Sequence, residues 1–222
     1  MEIRRTSDIT NQKLKVLVYG PSGSGKTRLC ATAKKPIILS VESGLLSLKD
    51  FDIPYIEIKN ADDLREAYKK LYNNKEFDWI CIDSASEVAE VVLADEKKKS
   101  KDGRKAYGEM QDTMMSLLRS FRDLDKNVYF SAKQDRLVDS LNGTFVYGPS
   151  APGSKIGPAM PYLFDEVFVL HTIKDDEANI QSMLQTSRCD QYEAKDRSGK
   201  LDFNEPADLT AIYNKIFNKK GE

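Results

Sequence analysis

Short apolar runs recur along the first 130 residues, and each has the length of a buried strand rather than that of a helix. Five runs follow this pattern, at residues 14–19, 36–41, 53–58, 77–82 and 128–132. Between them, polar and apolar positions recur at helical spacing. These segments predict helices from the end of the glycine-rich loop at 20–26 to residue 33 and over 61–72, 84–95 and 108–124. Strands that alternate with helices predict an α/β fold, with a mostly parallel sheet covered by helices.

Two helices carry more specific signals. Asn60 is placed to cap the helix over residues 61–72, and Asp63 completes a start that resembles a capping box. The helix over 108–124 carries an apolar stripe that indicates core packing rather than a ligand surface. Its members are Met110, Met114, Leu117, Leu118, Phe121 and Leu124.

The remaining segments differ in composition from these strands and helices. Residues 96–107 are charged and contain glycine, which predicts an exposed loop, and residues 135–161 are rich in glycine, proline and serine. Asn142-Gly143 offers a tight hairpin turn. Two strands follow at 166–173 and 180–185, and a last helix runs from Pro206 to Gly221. These closely spaced strands predict antiparallel pairing at one edge of the sheet.

The chain shows no internal repeat and no domain boundary, so we expect one domain over residues 1–222. Residues 1–12 are expected to form a flexible or interacting N-terminal segment. Neither a bilayer-spanning run nor a signal peptide is present, and these absences predict a soluble, cytoplasmic protein with no membrane partner.

The charge and the cysteine content exclude further classes of protein. The net charge is −1, so any nucleic-acid binding must come from a local basic surface. Cys30, Cys81 and Cys189 form no C-x-x-C pair, and with His171 as the single histidine they make a zinc site improbable. Cys30 and Cys81 are expected to be buried, reduced thiols.

A complete phosphate-binding motif follows the first strand. Its eight residues match G-x-x-x-x-G-K-[ST], and they are Gly20, Pro21, Ser22, Gly23, Ser24, Gly25, Lys26 and Thr27. The glycines let backbone N–H groups turn inward around an anion, and the following helix presents its positive end. Lys26 is then placed to reach the β- and γ-phosphates, and the Thr27 hydroxyl to coordinate Mg²⁺. The motif predicts a site for ATP with Mg²⁺.

Asp83 ends the apolar run at 79–82, which has the form of a Walker B element. A carboxylate at that strand end lies beside the phosphate loop, at the edge where open α/β sheets bind ligands. We expect it to hold Mg²⁺. The alternative is that Asp83 caps the next helix.

The order of these motifs resembles the RecA-type ATPase core, over roughly residues 13–200, and most closely the phage RecA-like proteins that anneal single strands in recombination. The resemblance implies that Glu42, after the second strand, is the catalytic acid that activates the attacking water. It also implies a polar γ-phosphate sensor after the run at 128–132, for which Lys133 and Gln134 are the candidates. A surface acid and two solvated loop side chains are the alternatives.

Two segments correspond in order to the DNA-binding loops of that family. The first is a basic run with Lys97, Lys98, Lys99, Lys101, Arg104 and Lys105, followed by Tyr107, which is suited to stack on a base. The second is the segment 136–161, with Arg136 and Lys155. A charge run is often only a solvated surface, and a long loop is either functional or disordered.

The resemblance also implies assembly into a homo-oligomer. Lys195 and Arg197 correspond to basic residues that reach the neighbouring subunit's nucleotide in oligomeric relatives, although a surface turn at Ser198-Gly199 explains them equally well. The chain resembles a minimal core without the additional domains of full bacterial recombinases. Annealing of single strands is therefore expected, rather than strand exchange by a long filament.

The sequence thus predicts an oligomeric ATPase with ATP and Mg²⁺ as cofactors and single-stranded DNA as its partner, acting in phage recombination. A single-stranded DNA-binding protein is a further possible partner. The alternatives are a nucleotide-gated interaction module or loader without annealing activity, and a small-molecule nucleotide kinase. The kinase is disfavoured because the expected lid regions lack an arginine cluster.

Overall fold

A computed structural model describes residues 13–42, 44–138, 143–174 and 180–217. Within these ranges ten strands form one sheet. The strands are β1 (Lys15–Gly20), β2 (Pro36–Ser40), β3 (Tyr55–Glu57), β4 (Trp79–Asp83), β5 (Asn127–Val138), β6 (Phe145–Ser150), β7 (Glu166–Lys174), β8 (Ile180–Gln185), β9 (Lys195–Asp196) and β10 (Asn204–Pro206). The helices are α1 (Lys26–Leu29), α2 (Ala61–Tyr72), α3 (Ala85–Lys99), α4 (Gly103–Arg122), α5 (Ile156–Ala159) and α6 (Leu209–Phe217). Short 3₁₀ turns cover Cys30–Thr32, Leu45–Leu48 and Met160–Leu163.

The strand order is β10-β8-β7-β1-β5-β4-β2-β3, with β6 paired to β5 and β9 to β7. The six strands from β7 to β3 are parallel, whereas β6, β8, β9 and β10 pair antiparallel. The predicted α/β fold, with a mostly parallel sheet and antiparallel strands at one edge, is confirmed. β5 lies between β1 and β4, so the phosphate loop and Asp83 are separated by one strand.

Alternate residues of each central strand pack against helices on opposite faces of the sheet. Leu17 faces the core formed with α2, α3 and α4, and its neighbours Val16 and Val18 face the core formed with α1 and α6. The predicted stripe on α4 is confirmed as core, because Met110, Met114, Leu118 and Phe121 are buried. Cys30 and Cys81 are buried as predicted, in the second core.

The start of α2 confirms the predicted cap. The Asn60 side chain accepts hydrogen bonds from the backbone N–H groups of Asp62 and Asp63, both at 2.9 Å. The Asp63 carboxylate accepts from the N–H of Lys59 at 2.8 Å. The local sequence therefore accounts for the start of this helix, and its observed bounds, Ala61 and Tyr72, are the predicted ones.

The prediction of an exposed loop over residues 96–107 was wrong. Helix α3 continues to Lys99 and α4 begins at Gly103, so only three residues connect them. Ion pairs one turn apart support the end of α3, from Lys98 to Asp95 at 3.0 Å and from Lys99 to Glu96 at 2.7 Å. Asp102 caps α4 by accepting the N–H of Arg104 at 2.9 Å. A charged segment without apolar periodicity can be helical when capping and ion pairs replace core packing.

The prediction that residues 136–161 form a long loop was also wrong. β5 continues to Val138 and pairs with β6 in a hairpin, and α5 with its 3₁₀ turn follows. Antiparallel pairing here uses backbone groups, so the glycine and proline content did not prevent it. Residue 142 of the predicted turn, the segment 1–12 and the stop at Gly221 lie outside the described residues. No described helix is long and apolar enough to cross a membrane.

Candidate nucleotide-binding site

The loop between β1 and α1 has the backbone of a phosphate-binding loop. Gly23 has φ 76° and Gly25 has φ 98°, conformations that residues with a side chain rarely adopt. These turns bring the chain around an anion-sized space, and α1 then begins at Lys26. The predicted strand, loop and helix are therefore all present, although α1 is only one turn long before the 3₁₀ turn at Cys30–Thr32.

The Lys26 side chain lies over the start of this loop. Its ammonium donates to the carbonyl oxygens of Gly20 at 2.8 Å and Pro21 at 2.7 Å, and it lies 3.5 Å from the Ser24 hydroxyl. Burial lowers the pKa of Lys26, while the carboxylates of Asp83 and Glu42 oppose that shift. A cation held by neutral carbonyls beside two carboxylates is poised to exchange those carbonyls for phosphate oxygens.

Asp83 is held between two hydroxyl groups. The Thr27 hydroxyl donates to its Oδ2 at 2.6 Å, the Ser131 hydroxyl on β5 donates to its Oδ1, and the residue is only 4% exposed. The alternative that Asp83 caps α3 is wrong, because Ser84 is the cap and accepts from the N–H of Glu87. Asp83 is thereby left to the site.

The pair Thr27 and Asp83 fits a magnesium ion. A hydroxyl and a carboxylate 2.6 Å apart are the hard oxygen ligands that Mg²⁺ takes from proteins, and phosphates and water complete its shell. The described residues contain no cluster of three acidic, histidine or cysteine side chains that could hold a metal alone. A magnesium shared with a nucleotide needs no such cluster.

Glu42 follows β2 and lies beside Asp83. Register places Ser40 opposite Asp83, and the N–H of Val41 donates to the Asp83 carbonyl at 2.9 Å. The Glu42 carboxylate accepts a hydrogen bond from the Ser84 hydroxyl at 2.5 Å. The structure thus brings Glu42 to the same sheet edge as Lys26, as its proposed catalytic role requires.

The two sensor candidates point in different directions, because they are consecutive residues of β5. The Lys133 ammonium pairs with Glu87 on α3, and this contact raises the pKa of Lys133. Gln134 instead lines a hollow of about 270 Å³ beside the phosphate loop. Its Oε1 is buried and has no hydrogen-bond partner among the described residues. Of the two candidates, Gln134 has the placement of a phosphate sensor.

Most candidate DNA-binding residues lie on two helix ends and a hairpin, whereas Lys101 lies in the short α3–α4 connection and Lys155 just before α5. The Lys97 ammonium lies 5.5 Å from the Tyr107 ring centroid, and Lys101, Arg104 and Lys105 are exposed at the α3–α4 turn. A Cβ at Gly153, in the second segment, would lie 3.6 Å from the Tyr107 ring. The structure therefore brings the two predicted segments together.

The hairpin carries an aromatic surface that sequence reasoning missed. The Arg136 guanidinium lies 6.0 Å from the centroid of Phe145 and 5.9 Å from that of Tyr147, and Phe145 is 59% exposed. Lys155 is also exposed and precedes α5. The alternation of Phe145 and Tyr147 was the available signal, but it was hidden in a segment taken to be a loop.

Lys195 and Arg197 lie at the opposite edge of the sheet. β9 pairs with the start of β7, far from the phosphate loop of the same chain. The Lys195 ammonium donates to the carbonyls of Pro161 and Phe164, both at 2.6 Å, and Arg197 pairs with Asp165 at 2.7 Å. A role in a neighbouring subunit's site stays a prediction, and for Lys195 it requires release of two carbonyl partners.

Two further residues at the hollow were not predicted. His171 and Tyr192 line it together with Gln134 and the loop residues 21–24. From the sequence, His171 was weighed only as a zinc ligand. The signal that could have found it is the length of β7, which continues beyond the end of its neighbour β1.

Comparison with known proteins bears on the same elements. The sequence profile of the AAA domain family (AAA_24) matches residues 12–198, which cover the phosphate loop, Glu42, Asp83 and the whole sheet as far as β9. No curated protein matches the chain.

Proposed function

The chain belongs to the AAA domain family of P-loop nucleotide-binding domains, and on that premise we propose that it hydrolyses ATP with Mg²⁺ to control its binding of single-stranded DNA. The observation that carries the first half is the contact between Thr27 and Asp83 beside Lys26. One hydroxyl, one carboxylate and one ammonium converge at the mouth of a loop shaped for phosphate. This is the set of groups that phosphoryl transfer to water requires.

Each residue then has a role that follows from its position. Lys26 would neutralise charge that develops on the β- and γ-phosphates. Thr27 and Asp83 would hold a magnesium ion, which would supply further charge neutralisation. Glu42 accepts a proton from the attacking water, and its contact with Ser84 holds the carboxylate toward the site. Gln134 contacts the terminal phosphate.

The magnesium pair can be tested separately from the rest of the site. Asp83→Asn keeps size and removes the charge, so nucleotide affinity should lose its dependence on Mg²⁺ in a calorimetric titration with and without the metal. Asp78→Asn, just before the same strand, is the matched control and should keep that dependence. An Asp83→Asn variant with the parent's magnesium dependence would overturn the assignment.

The DNA half of the proposal is supported by how the basic and aromatic side chains are arranged. Tyr107 and the exposed lysines beside it adjoin the segment that follows the hairpin, and the hairpin presents Arg136 with two aromatic rings. Cations with exposed rings suit unstacked bases, which stack on aromatic faces while phosphates meet the charges. Because the net charge is −1, binding must rely on this local surface.

Fluorescence anisotropy with labelled oligonucleotides tests this half. We expect single strands to bind more tightly than duplex, and more tightly with ATP and Mg²⁺ than without. Phe145→Ala should weaken binding by about tenfold, the usual effect of losing one stacking ring. Phe203→Ala removes an equally exposed ring near β10 and should have no effect. Nucleotide binding without any DNA binding would support a nucleotide-gated interaction module instead.

We propose further that the protein acts as a homo-oligomer that anneals single strands in recombination, as the phage RecA-like proteins it resembles do. If Arg197 completes a neighbour's site, Arg197→Ala should bind ATP without hydrolysing it. Mixing this variant with Lys26→Ala should restore part of the activity, since each defect lies on a different side of a shared site. A fully active monomer in sedimentation would exclude this arrangement.

A further inference from the structure

The hollow beside the phosphate loop has one wall that the proposed mechanism does not use. The loop residues 21–24 form one side, and His171, Thr172 and Tyr192 form the other. Its volume of about 270 Å³ exceeds what a single buried side chain leaves behind. The hollow is therefore large enough for the end of a nucleotide.

Strand register explains why β7 reaches this place. Tyr19 pairs with Val169, so Leu170 lies level with the last residue of β1, and the chain continues in strand geometry to Lys174. β1 meanwhile turns into the phosphate loop. His171 is consequently the first β7 residue beyond the end of β1, and it lies alongside the loop while it still pairs with Met183 of β8.

The His171 ring is held in one orientation by a fixed amide. The Gln185 amide nitrogen donates to the Ser187 carbonyl at 2.8 Å and to the Cys189 sulfur at 3.3 Å, so its Oε1 is an acceptor. His171 Nε2, 3.1 Å from that oxygen, must carry the proton and donate. Nδ1 is then the ring nitrogen left to meet a ligand. Tyr192 packs edge-on against the ring, with centroids 4.7 Å apart.

The Lys26 ammonium identifies which end of a nucleotide lies here. It contacts the carbonyls of Gly20 and Pro21 at the start of the loop, and Pro21 also lines the hollow. Because this lysine reaches the β- and γ-phosphates, the terminal phosphate lies at that end. Gln134, with its unpartnered buried Oε1, lines the same space.

We propose that His171 and Tyr192 complete, with Gln134, a pocket for the terminal phosphate that distinguishes a nucleoside triphosphate from a diphosphate. This inference rests on the proposed nucleotide site. When both ring nitrogens carry a proton, Nδ1–H donates to a phosphate oxygen while Nε2–H keeps its bond to Gln185. A diphosphate leaves the pocket empty and gains nothing from it.

The same pocket has a physical connection to the hairpin. Tyr192 stacks on Tyr147 of β6, with ring centroids 5.3 Å apart and an angle of 26° between the rings. The guanidinium of Arg136, on the paired strand β5, lies over the same Tyr147 ring. One pair of stacked rings thus connects the pocket to the hairpin surface proposed for DNA. Tyr192 is the residue that touches both.

The test compares the affinities of a non-hydrolysable ATP analogue and of ADP, measured by calorimetry at saturating Mg²⁺. His171→Phe keeps an aromatic ring against Tyr192 and removes the donor. We expect the analogue-to-ADP affinity ratio to fall by about tenfold or more, the usual effect of losing one hydrogen bond to a charged group. His171→Gln retains a donor and should recover part of the ratio. ADP affinity should stay at the parent value in both variants.

Tyrosine variants test the packing that holds the His171 ring. Tyr192→Ala should lower the ratio by freeing His171, and Tyr162→Ala, at an exposed ring away from the hollow, is the control. A His171→Phe variant with the parent's ratio, or with equal losses for both nucleotides, overturns this inference alone. A parent protein that binds neither nucleotide overturns the proposed function and this inference together.

Discussion

Lys26 and Lys15 make the same kind of contact at opposite edges of the sheet. Lys26 donates to the carbonyls of Gly20 and Pro21, and Lys15 donates to those of Leu124 and Lys126, at 2.6 and 2.5 Å. Burial lowers the pKa of both lysines, that of Lys15 to about 8. Their surroundings differ. Lys26 borders a glycine loop and two carboxylates at an open edge, whereas Lys15 lies inside a paired strand.

The comparison shows that a shifted pKa marks burial and does not by itself mark a site. At the edge where the parallel strands begin, here called the amino edge, burial beside Asp196 raises the pKa of the Glu166 carboxyl to about 8. The opposite edge, where the parallel strands end, differs because several polar side chains face a common space there. Function is therefore assigned to Lys26 from the geometry around it.

Replacing each lysine gives the largest expected contrast. Lys26→Ala should reduce ATP hydrolysis by at least about 100-fold, the effect of losing one donor to developing charge, and should weaken triphosphate binding. Lys15→Met should instead lower the melting temperature, because two carbonyls lose their partner, while nucleotide affinity is kept. Phosphate release, calorimetry and thermal melting distinguish the two outcomes. Equal loss of hydrolysis in both variants would remove the distinction between the edges.

The sequence predicted the site at the Lys26 edge of the sheet well, because each of its motifs is a short run of consecutive residues. Eight consecutive residues specify the loop, and an apolar run ending in an acid specifies Asp83. The choice between Lys133 and Gln134 was not available, since it depends on which way β5 alternates at that point. His171 was missed for a related reason, because its place depends on how far β7 extends beyond β1.

The second contrast is between two acids near the ends of neighbouring strands. Glu42→Gln should lower hydrolysis by about 100-fold, within the range for general-base catalysis, while ATP binding remains. Glu57→Gln, at the end of β3, changes a carboxylate that pairs with Lys59 in solvent and should leave hydrolysis unchanged. Single-turnover measurements with ATP compare them directly. Unchanged hydrolysis in Glu42→Gln would return Glu42 to an ordinary surface acid.

A third contrast uses pH at the amino edge. The pKa of Glu166 is raised from 4.5 to about 8, so between these values the unfolded chain has lost a proton that the folded protein keeps. Stability contributed by this group should therefore be present below about pH 4.5 and be lost as pH rises toward 8, by a few kcal/mol. Glu166→Gln should flatten that slope in denaturant titrations across the window. A variant with the parent's slope would contradict the assignment.

The basic run shows where sequence reasoning failed and what can repair it. A charged segment without apolar periodicity was read as a loop, yet capping by Asp102 and ion pairs within α3 make it two helix ends. A run of charged residues has no apolar periodicity that would distinguish a helix from a loop. The structure therefore divides six basic residues into two groups with different physical surroundings.

The two groups differ in whether stability explains them. The first group, Lys97, Lys98 and Lys99, lies at the C-terminal end of α3, where the helix dipole favours positive charge. Lys98 and Lys99 also form ion pairs with acids one turn away. The second group is Lys101, Arg104 and Lys105. Lys101 precedes the cap of α4, and Arg104 and Lys105 begin that helix, where cations are unfavourable. No ion pair joins any of these three to another described residue. Nothing in the fold accounts for the second group, so binding is the better explanation for it.

The smallest expected effect follows from that division. Each lost phosphate contact flattens the slope of log affinity against log salt by about 0.7 on single strands. The triple variant Lys101, Arg104 and Lys105 to alanine should therefore lose up to about 2 units of slope, and its α4 should be slightly more stable.

The matched triple Lys97, Lys98 and Lys99 to alanine should lose less slope, because two of its lysines already have partners, and should destabilise α3 by a few tenths of a kcal/mol per ion pair. Anisotropy titrations at several salt concentrations measure both slopes. Both variants should keep DNA-free ATP hydrolysis, since neither group touches the phosphate loop. An unchanged slope in the first triple would leave the α3–α4 turn as solvated surface, and the proposed contact with DNA would then rest mainly on the hairpin with Arg136 and Phe145.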